Sequence, residues 1–565
     1  MSHETVNVGL RLSETARSNP DGLAIAMPRG RDAAGRRQYE RISFRELDED
    51  SNRLAAGLHR LGVQPGMRLA LMVPPSIDFI SFVFALFKAG VVSVLIDPGM
   101  GRRNMVRCLA ESQPDGFVGI PLAQALRVLL RRRFPRARYN VTVGRRWFWG
   151  GATAASLRRT SADAFQPVRT RFEDPAAIIF TTGSTGPPKG VLYRHGNFNR
   201  QADEIRDFYD IQPGEIDLPG FPLFALFNCA MGVSTVIPDM DPTRPAEVNP
   251  INILEAVRDF SVTQAFGSPA LWNVVGRYCE KTGDKLPTLK RVLSAGAPVP
   301  PHVLRRVKNC IHPDGDVHTP YGATEALPVA SIAASEVLAS TAARSAEGAG
   351  TCVGRRFPGI DWKVIRIDDG PIPTLAEAEE LPAGEIGELI VRGPVVTTEY
   401  VTRTDCNPLH KIVDGDTFWH RMGDVGYLED DPSGDPRKQR FWFCGRKAHR
   451  VTLPDQTLFT IPCEAIFNQH PAIYRSALVG VGPMGNQRPV LIAEPWPEHW
   501  PANSAAEQTL LGELRSLGEK HPHTRPIADF FLMRNLPVDI RHNAKIFREK
   551  LAVWAAHKLE LPASE

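Results

Sequence analysis

One junction constrains the fold of this chain more than any other feature: a short apolar run that leads directly into a loop rich in glycine and hydroxyl residues. Residues 176–180 are typical of a buried strand, and residues 181–190 read Thr-Thr-Gly-Ser-Thr-Gly-Pro-Pro-Lys-Gly. Glycines let backbone N–H groups turn inward around an anion, while hydroxyls add donors and a lysine adds positive charge. A solvated linker has no reason to follow a buried strand, so the loop is predicted to hold phosphate. It is not a Walker A loop, because Lys189 has no glycine before it and is followed by Gly190.

Patterns of buried strand, loop and helix alternate through the first 300 residues, which predicts a layered α/β fold with ligand loops at strand ends. From about residue 351 the pattern changes to strands joined by turns, typical of a β-rich subdomain. A polar break at 430–440 precedes a tail with strand and helix signals of its own. We therefore predict a large N-terminal domain at residues 1–440, with its β-rich subdomain at about 351–440, and a small C-terminal domain at 441–565.

Composition excludes several other classes of protein. The chain has 565 residues, 43% of them hydrophobic, and a net charge of +4, which does not favour a nucleic-acid binder. The arginine run within 127–146 is interpreted as a solvated basic face, with a docking patch for an acidic partner as the alternative. The eight cysteines show no CxxC spacing, which argues against zinc and dithiol sites. No signal peptide is predicted. No transmembrane segment is predicted either, because a helix followed by a buried strand explains the apolar residues 79–96 better. The cytoplasm is the expected location.

A second glycine motif is a false lead. Residues 480–485 match GxGxxG, but the segment that follows, 489–494, is typical of a strand, whereas a dinucleotide site needs a helix there. We expect a connection between two strands.

The 181–190 loop resembles the phosphate-binding signature of the adenylate-forming superfamily, which contains acyl-CoA synthetases, luciferases and peptide-synthetase adenylation domains. Further segments resemble that superfamily's motifs, in its order and spacing. They are Ser-Ala-Gly-Ala-Pro at 294–298, Tyr-Gly-Ala-Thr-Glu at 321–325, Gly-Glu-Ile-Gly-Glu-Leu at 384–389, Met-Gly-Asp-Val-Gly-Tyr at 422–427, Gly-Arg at 445–446 and Asn-Ala-Lys at 543–545. Any one of them has a plain alternative, such as a turn aspartate or a solvent lysine, but together they cover nearly the whole chain.

The resemblance implies ATP and Mg²⁺, a small mobile α+β C-terminal domain, and a role for each motif. Tyr321 would stack on adenine, Thr324 would meet the α-phosphate and Asp424 would bind the ribose hydroxyls. When a carboxylate attacks the α-phosphorus two anions meet, so cations must neutralise them. The expected catalytic residues are Lys545, Glu325, Lys189 and Thr182, with Glu325 as the metal ligand. The expected ATP and AMP contacts are Thr181, Thr182, Gly183, Ser184, Thr185, Gly186, Lys189, Gly296, Ala297, Pro298, Tyr321, Gly322, Thr324, Asp424 and Arg446.

A narrower resemblance concerns the acid. Segments 221–227, 236–245, 444–451 and 537–545 are similar to the β-lactone synthetase family of bacterial head-to-head olefin biosynthesis. That family activates a 2-alkyl-3-hydroxy fatty acid, whose own 3-hydroxyl then displaces AMP to close a lactone. The resemblance implies a long-chain 3-hydroxy acid as substrate and an assembly with a β-lactone decarboxylase of α/β-hydrolase type and a ketoreductase. Phe224, Phe227 and His195 are candidate substrate contacts, and His195, Asp239 and Asp241 are candidate bases for the hydroxyl.

The hinge between the domains points the same way. Relatives that transfer an acyl group to a thiol read Gly-Arg-x-Asp/Lys-Asp-x-Ile-Lys-x-x-Gly, whereas this chain has Ala448, Thr452 and Asp455 at the positions of the hinge acid or base, the lysine and the last glycine. A side chain with negative charge in place of that glycine is expected to obstruct a thiol arm. A fatty acyl-CoA ligase remains the alternative enzyme, and a catalytically silent scaffold the alternative of another class. Retention of Lys189, Glu325, Asp424 and Lys545 argues against the scaffold.

Overall fold

The computed structural model of this chain describes residues 6–181, 187–221, 224–538 and 546–561. Within these residues the strands, in chain order, are β1 (Leu23–Arg31), β2 (Arg37–Ser43), β3 (Arg68–Met72), β4 (Val92–Leu95), β5 (Gly116–Gly119), β6 (Tyr139–Thr142), β7 (Ala152–Thr153), β8 (Pro175–Phe180), β9 (Gly190–Arg194), β10 (Ile216–Pro219), β11 (Ser234–Val236), β12 (Gln264–Gly267), β13 (Arg291–Ser294), β14 (Asp316–Ala323), β15 (Ala326–Ala333), β16 (Thr351–Arg356), β17 (Asp361–Ile365), β18 (Gly387–Arg392), β19 (Lys411–Asp414), β20 (Thr417–Glu429), β21 (Arg440–Arg446), β22 (Val451–Thr452), β23 (Thr457–Leu458), β24 (Ile473–Val481), β25 (Arg488–Pro495) and β26 (Asp529–Leu532).

The helices within the same residues are α1 (Leu10–Ser18), α2 (Phe44–Arg60), α3 (Ile77–Lys88), α4 (Arg102–Ser112), α5 (Pro121–Leu129), α6 (Ala154–Arg158), α7 (His195–Phe208), α8 (Phe224–Met231), α9 (Pro250–Phe260), α10 (Pro269–Thr282), α11 (Pro301–Cys310), α12 (Ala334–Glu336), α13 (Ala342–Ala346), α14 (Asn407–His410), α15 (Thr460–Phe467), α16 (Ser504–Glu519) and α17 (Arg548–Lys558). Across the described ranges no helix is long and apolar enough to cross a membrane.

Two large sheets form the first part of the fold. One has the order β7-β6-β5-β3-β4-β8-β9 and is parallel except for the β8–β9 pair. The other runs β17-β18-β20-β21-β16-β15-β14-β13-β12-β10-β11-β1-β2, with β19 beside β20. Its pairs from β14 to β1 are parallel and the rest are antiparallel. In each sheet the loops that follow the parallel strands therefore lie at the carboxyl ends of those strands, which is where α/β folds bind ligands.

Helix α3 lies in the apolar core that joins these sheets. The cluster contains Ile25 of β1 and Leu69 of β3 together with the face of α3. The helix begins at the Ser76 N-cap, whose hydroxyl accepts from the backbone N–H of Phe79. It ends with the buried Lys88, whose ammonium is satisfied by polar atoms of α2. The predicted helix and buried strand at 79–96 are confirmed as α3 and β4.

The C-terminal part has a sheet of its own, β24-β25-β26. Side chains on successive residues of a strand point to opposite faces. Leu478 therefore packs with α15 and α16 on one face, whereas Ala477 and Val479 pack with α17 on the other. β24 and β25 are joined by the 480–485 glycine motif and pair antiparallel, which confirms the predicted strand-to-strand connection.

The predicted β-rich segment does not form a separate sheet. Its strands β16, β17, β18, β20 and β21 continue the larger sheet, because the antiparallel β14–β15 hairpin extends the parallel strands into them. β21 begins at the proposed domain boundary yet belongs to this sheet, whereas the first small C-terminal ladder begins at Val451. The position of the boundary stays a prediction.

A buried ion pair ties β18 to β20 inside this sheet. Glu388 and Arg421 are each 1% exposed, and their closest side-chain oxygen and nitrogen are 2.6 Å apart. Arg421 also donates to the carbonyl oxygens of Asp368 and Gly370. The ammonium of Lys447 lies 3.1 Å from the same Glu388 oxygen. Glu388 of the 384–389 motif is thus shared by two cations.

Glu388→Ala is expected to reduce the free energy of unfolding by about 3–5 kcal/mol, because it leaves a buried guanidinium without its counter-charge. The measurement is urea unfolding followed by tryptophan fluorescence. Glu379→Ala is the matched control, since it breaks an exposed pair with Arg366 and should change stability little. Equal losses in the two variants would contradict this account of Glu388.

Candidate active site

A cavity of about 1990 Å³ lies at the carboxyl ends of the parallel strands of both large sheets. Its walls come from the residues that follow β3, β4, β5 and β8 in one sheet and β10, β12 and β13 in the other. The C-terminal part closes one side through residues of α15, β24 and α17. Residues of both parts of the chain therefore line the same cavity.

The predicted phosphate loop begins and ends at the wall of this cavity. The backbone N–H of Thr181 donates to the carbonyl oxygen of Lys189 over 3.0 Å, and the N–H of Lys189 donates to the Thr181 hydroxyl over 3.1 Å. The N–H of Gly190 donates to the Thr402 hydroxyl over 2.7 Å. These bonds fix both ends of the loop. Its predicted members Thr182, Gly183, Ser184, Thr185 and Gly186 lie outside the described residues.

The Lys189 side chain is positioned by two residues that sequence reasoning missed. Its ammonium nitrogen is 2.8 Å from Nε2 of His410 and 4.9 Å from the centre of the Tyr400 ring. Burial and the charge of Lys189 lower the pKa of His410 to about 3, so the imidazole is neutral at pH 7 and can accept from the ammonium. All three residues line the cavity.

Glu325 is held in the same cluster. The Tyr400 hydroxyl donates to its Oε1 over 2.7 Å, and the Thr397 N–H donates to its carbonyl oxygen over 2.9 Å. Burial and the nearby carboxylate raise the pKa of Tyr400, which keeps the hydroxyl a donor. The Lys411 ammonium donates to the Thr397 carbonyl, and burial lowers the pKa of Lys411 to about 7.

One carboxylate at this point fits a magnesium ion that arrives with a nucleotide. Mg²⁺ is usually bound through one or two carboxylates and substrate phosphates rather than by a protein cage. Among the residues the structure describes, no group of three or more His, Cys, Asp or Glu side chains could hold a metal by itself. Glu325 lines the cavity, and Thr324 beside it is anchored by the Tyr193 hydroxyl, which donates to its carbonyl oxygen over 2.6 Å.

A buried carboxylate organises a second cluster in the wall of the cavity. Asp424, on β20, accepts a 2.5 Å hydrogen bond from the Tyr321 hydroxyl and lies 2.9 Å from a guanidinium nitrogen of Arg446. Its side chain is only 4% exposed. The carboxylate raises the pKa of Arg446, and burial together with Asp424 raises that of Tyr321 well above its usual value. The structure thus brings three predicted nucleotide contacts together.

The backbone near these residues requires glycine. Gly296 has φ of +97°, a conformation that other residues rarely adopt, and it lines the cavity with Ala297 and Pro298. A Cβ on Gly322 would lie 2.6 Å from the carbonyl oxygen of Ala326. The two motifs therefore keep a fixed backbone against the cavity.

The predicted aromatic substrate contacts line an apolar part of the cavity. Phe224 stacks on Phe266 with ring centres 3.7 Å apart, and Phe227 lies 6.1 Å from Phe224. Aromatic pairs of this kind give a rigid apolar wall.

The structure places His195 and Asp239 outside the lining of the cavity. His195 is fully buried but is not among the residues that line the cavity; its Nδ1 accepts from the Val8 N–H over 3.2 Å, and burial lowers its pKa to about 4. Asp239 is likewise outside the lining and pairs with Arg37 at 2.5 Å. The roles of these two residues at the site stay predictions. Asp241 does line the cavity, and its role as a base stays a prediction.

The altered hinge lies at the cavity edge. Ala448 and His449 line the cavity, and His449 Nε2 is 3.2 Å from a carboxylate oxygen of Glu549 on α17. The Thr452 hydroxyl bonds to the 480–487 connection, and Asp455 is exposed in the turn between β22 and β23. Lys545 lies outside the described residues.

Comparison with known proteins places this site in a family. The family model described as AMP-binding enzyme matches residues 12–401. The chain is 48% identical over 559 residues to the olefin β-lactone synthetase of Xanthomonas campestris pv. campestris, covering 98% of each, and 45% identical over 562 residues to that of Stenotrophomonas maltophilia, covering 98% of this chain and 99% of that one. An amide bond synthetase structure from Marinactinospora thermotolerans matches 98% of this chain and all of its own with a TM-score of 0.74, and at 21% identity it shows the fold alone. The chain therefore belongs to the AMP-binding enzyme family and, within it, to the olefin β-lactone synthetases.

Proposed function

We propose that this chain converts a 2-alkyl-3-hydroxy fatty acid and ATP into a β-lactone, AMP and pyrophosphate. The observation that carries the proposal is the 48% identity, over nearly the full length of both chains, to a protein named olefin β-lactone synthetase. In the first step a carboxylate oxygen attacks the α-phosphorus and pyrophosphate leaves. In the second step the 3-hydroxyl oxygen attacks the acyl carbon, the bond to AMP breaks and the hydroxyl proton is lost.

The phosphate end of the site supports the first step. The 181–186 residues and Lys189 would bind the phosphates, and Thr182 and Lys545 would stabilise the charge that develops at the α-phosphorus. Glu325 would hold Mg²⁺, which, when bound, would neutralise phosphate charge as a Lewis acid. The neutral His410 leaves the whole charge of the nearby Lys189 available to the phosphates.

The adenosine end of the site supports nucleotide binding. Tyr321 would lie against adenine together with Gly296, Ala297 and Pro298, and Gly322 would let the nucleotide approach the backbone. The ribose hydroxyls would bind Asp424 in place of the Tyr321 hydroxyl, while Arg446 keeps the carboxylate ionised. Such an exchange replaces one buried hydrogen bond by another, so Asp424 is never left unsatisfied.

The size and lining of the cavity support a lipid acid. Phe224 and Phe227 would contact an alkyl chain, and burial of each methylene group contributes about 0.8 kcal/mol. Holding the hydroxyl beside the activated carbonyl would favour ring closure by proximity. The changed hinge residues Ala448, Thr452 and Asp455 support a reaction without a thiol. By family resemblance, a ketoreductase would supply the acid and a decarboxylase would consume the lactone, in an assembly with this chain.

Glu325→Gln is expected to raise the Mg²⁺ concentration that half-saturates pyrophosphate release by about tenfold or more, because a ligand loses its charge but keeps its shape. Glu399→Gln is the control, since Glu399 directly precedes Tyr400, the partner of Glu325, but its own side chain pairs with Arg194. The measurement is a Mg²⁺ titration of pyrophosphate release. An unchanged Mg²⁺ titration in Glu325→Gln would mean that Glu325 does not bind the ion.

The product distinguishes lactone formation from the ligase alternative. With ATP and a 2-alkyl-3-hydroxy acid, mass spectrometry should find the β-lactone in equal amounts with and without excess CoA. The analogue without the 3-hydroxyl should stop at acyl-AMP, because the internal nucleophile is missing. A dominant acyl-CoA product would reject the proposal in favour of a fatty acyl-CoA ligase.

A further inference from the structure

One segment of the chain is much more positively charged than the rest. Residues 116–162 contain ten arginines and no Asp, Glu, Lys or His, whereas the whole chain has a net charge of +4. Arg131, Arg132, Arg133 and Arg145 form no ion pair with any other residue the structure describes. A stretch of a single sign with unpaired cations attracts an anionic surface.

Helix α5, which lies in this segment, exposes apolar side chains to solvent. In α5 the only fully buried side chain is polar: Gln124 donates to the carbonyl oxygens of Phe117 and Val141. Leu122 and Leu129 are 75% and 80% exposed. They are seven residues apart, or about two helical turns, so they lie on one side of the helix. This arrangement reverses the usual one, in which a helix buries leucine and exposes polar residues.

Two aromatic side chains project beside the helix. Trp147 and Phe148 are 63% and 78% exposed. Both rings lie against Trp149, at centre distances of 5.6 and 5.3 Å, and the Trp149 indole N–H donates to the Thr142 hydroxyl over 3.0 Å. The loop is therefore held at its base with its apolar tip in solvent.

The helix and the aromatic loop adjoin at one sheet edge. The parallel strands β5 and β6 end side by side, with Gly119 opposite Thr142, and lead into α5 and the loop respectively. A Cβ on Gly144 would lie 3.8 Å from Pro121 at the start of α5. We call α5, its following arginines 131–133 and the loop 144–149 the arginine–aromatic surface.

We propose that the arginine–aromatic surface docks the chain on an anionic lipid bilayer. Tryptophan, phenylalanine and leucine insert at the boundary between headgroups and acyl chains, and flanking arginines bind anionic headgroups. Leu122 and Leu126 also line the cavity. A bilayer on this surface would thus adjoin the cavity mouth, and an acid with two alkyl chains could enter without crossing water.

The test is flotation of the full chain with lipid vesicles, in the absence of ATP and acid, so that its result is independent of the proposed reaction. Vesicles of equal parts phosphatidylglycerol and phosphatidylcholine should carry the chain upward at low salt. Pure phosphatidylcholine vesicles should carry much less, and about 1 M NaCl should weaken the binding to anionic vesicles, because it reduces the Debye length to about 3 Å.

Two independent variants identify the surface. Trp147→Ser/Phe148→Ser removes the apolar tip, and Arg132→Glu/Arg133→Glu reverses the charge; each should lower the partition coefficient by about tenfold or more. Arg277→Glu/Lys281→Glu, on the exposed side of α10, makes the same change of net charge and should float like the wild type. Thermal unfolding of each variant checks its folding.

Three results would overturn the proposal: no flotation of the wild type with anionic vesicles, flotation of both test variants as efficient as that of the wild type, or equal loss in the α10 control. With no flotation of the wild type, the surface would be assigned to a protein partner instead.

Discussion

The organisation of this site depends on a buried carboxylate that joins three strands. Asp424 on β20 holds the hydroxyl of Tyr321 from β14 and the guanidinium of Arg446 from β21, and Asp424 and Arg446 face each other directly in the antiparallel ladder. A carboxylate this deeply buried requires such partners, since leaving it unpaired would cost several kcal/mol. The strands are therefore fixed to one another at the point where the nucleotide is expected to bind.

The same strands control how the chain leaves the large sheet. Arg446 and Lys447 are consecutive, and each is bound by a different buried carboxylate, Asp424 and Glu388. The segment that leads to the C-terminal part thus starts from a fixed position at the cavity wall. This geometry connects the motif at 384–389 to the site, although no residue of β18, which carries Glu388, lines the cavity. Because this segment starts at the cavity wall, the C-terminal part that follows it can contribute residues to the same cavity.

Much of the fold and of the site could be predicted from the sequence, because each feature has a local signal. The buried strands, the glycine loop and the order of the motifs depend on short segments, and β8, β13 and β24–β25 appear where those segments indicate. His410 and Tyr400 had no such signal. They meet Lys189 and Glu325 across 221 and 75 residues of sequence, and a single histidine or tyrosine has no spacing that marks it. His195 stays a prediction as a substrate contact or base, although its buried side chain is not among the residues that line the cavity.

The central claim is that the carboxylate, and not the hydroxyl, is activated by ATP, and an isotope measurement tests it directly. The 2-alkyl-3-hydroxy acid is labelled with ¹⁸O in both carboxylate oxygens and converted with unlabelled ATP, and AMP and lactone are analysed by mass spectrometry. Attack of the carboxylate on the α-phosphorus predicts one ¹⁸O in AMP and one in the lactone, at the carbonyl oxygen, with the ring oxygen unlabelled. Unlabelled AMP together with two ¹⁸O atoms in the lactone would mean that the hydroxyl had been activated, and would contradict the account.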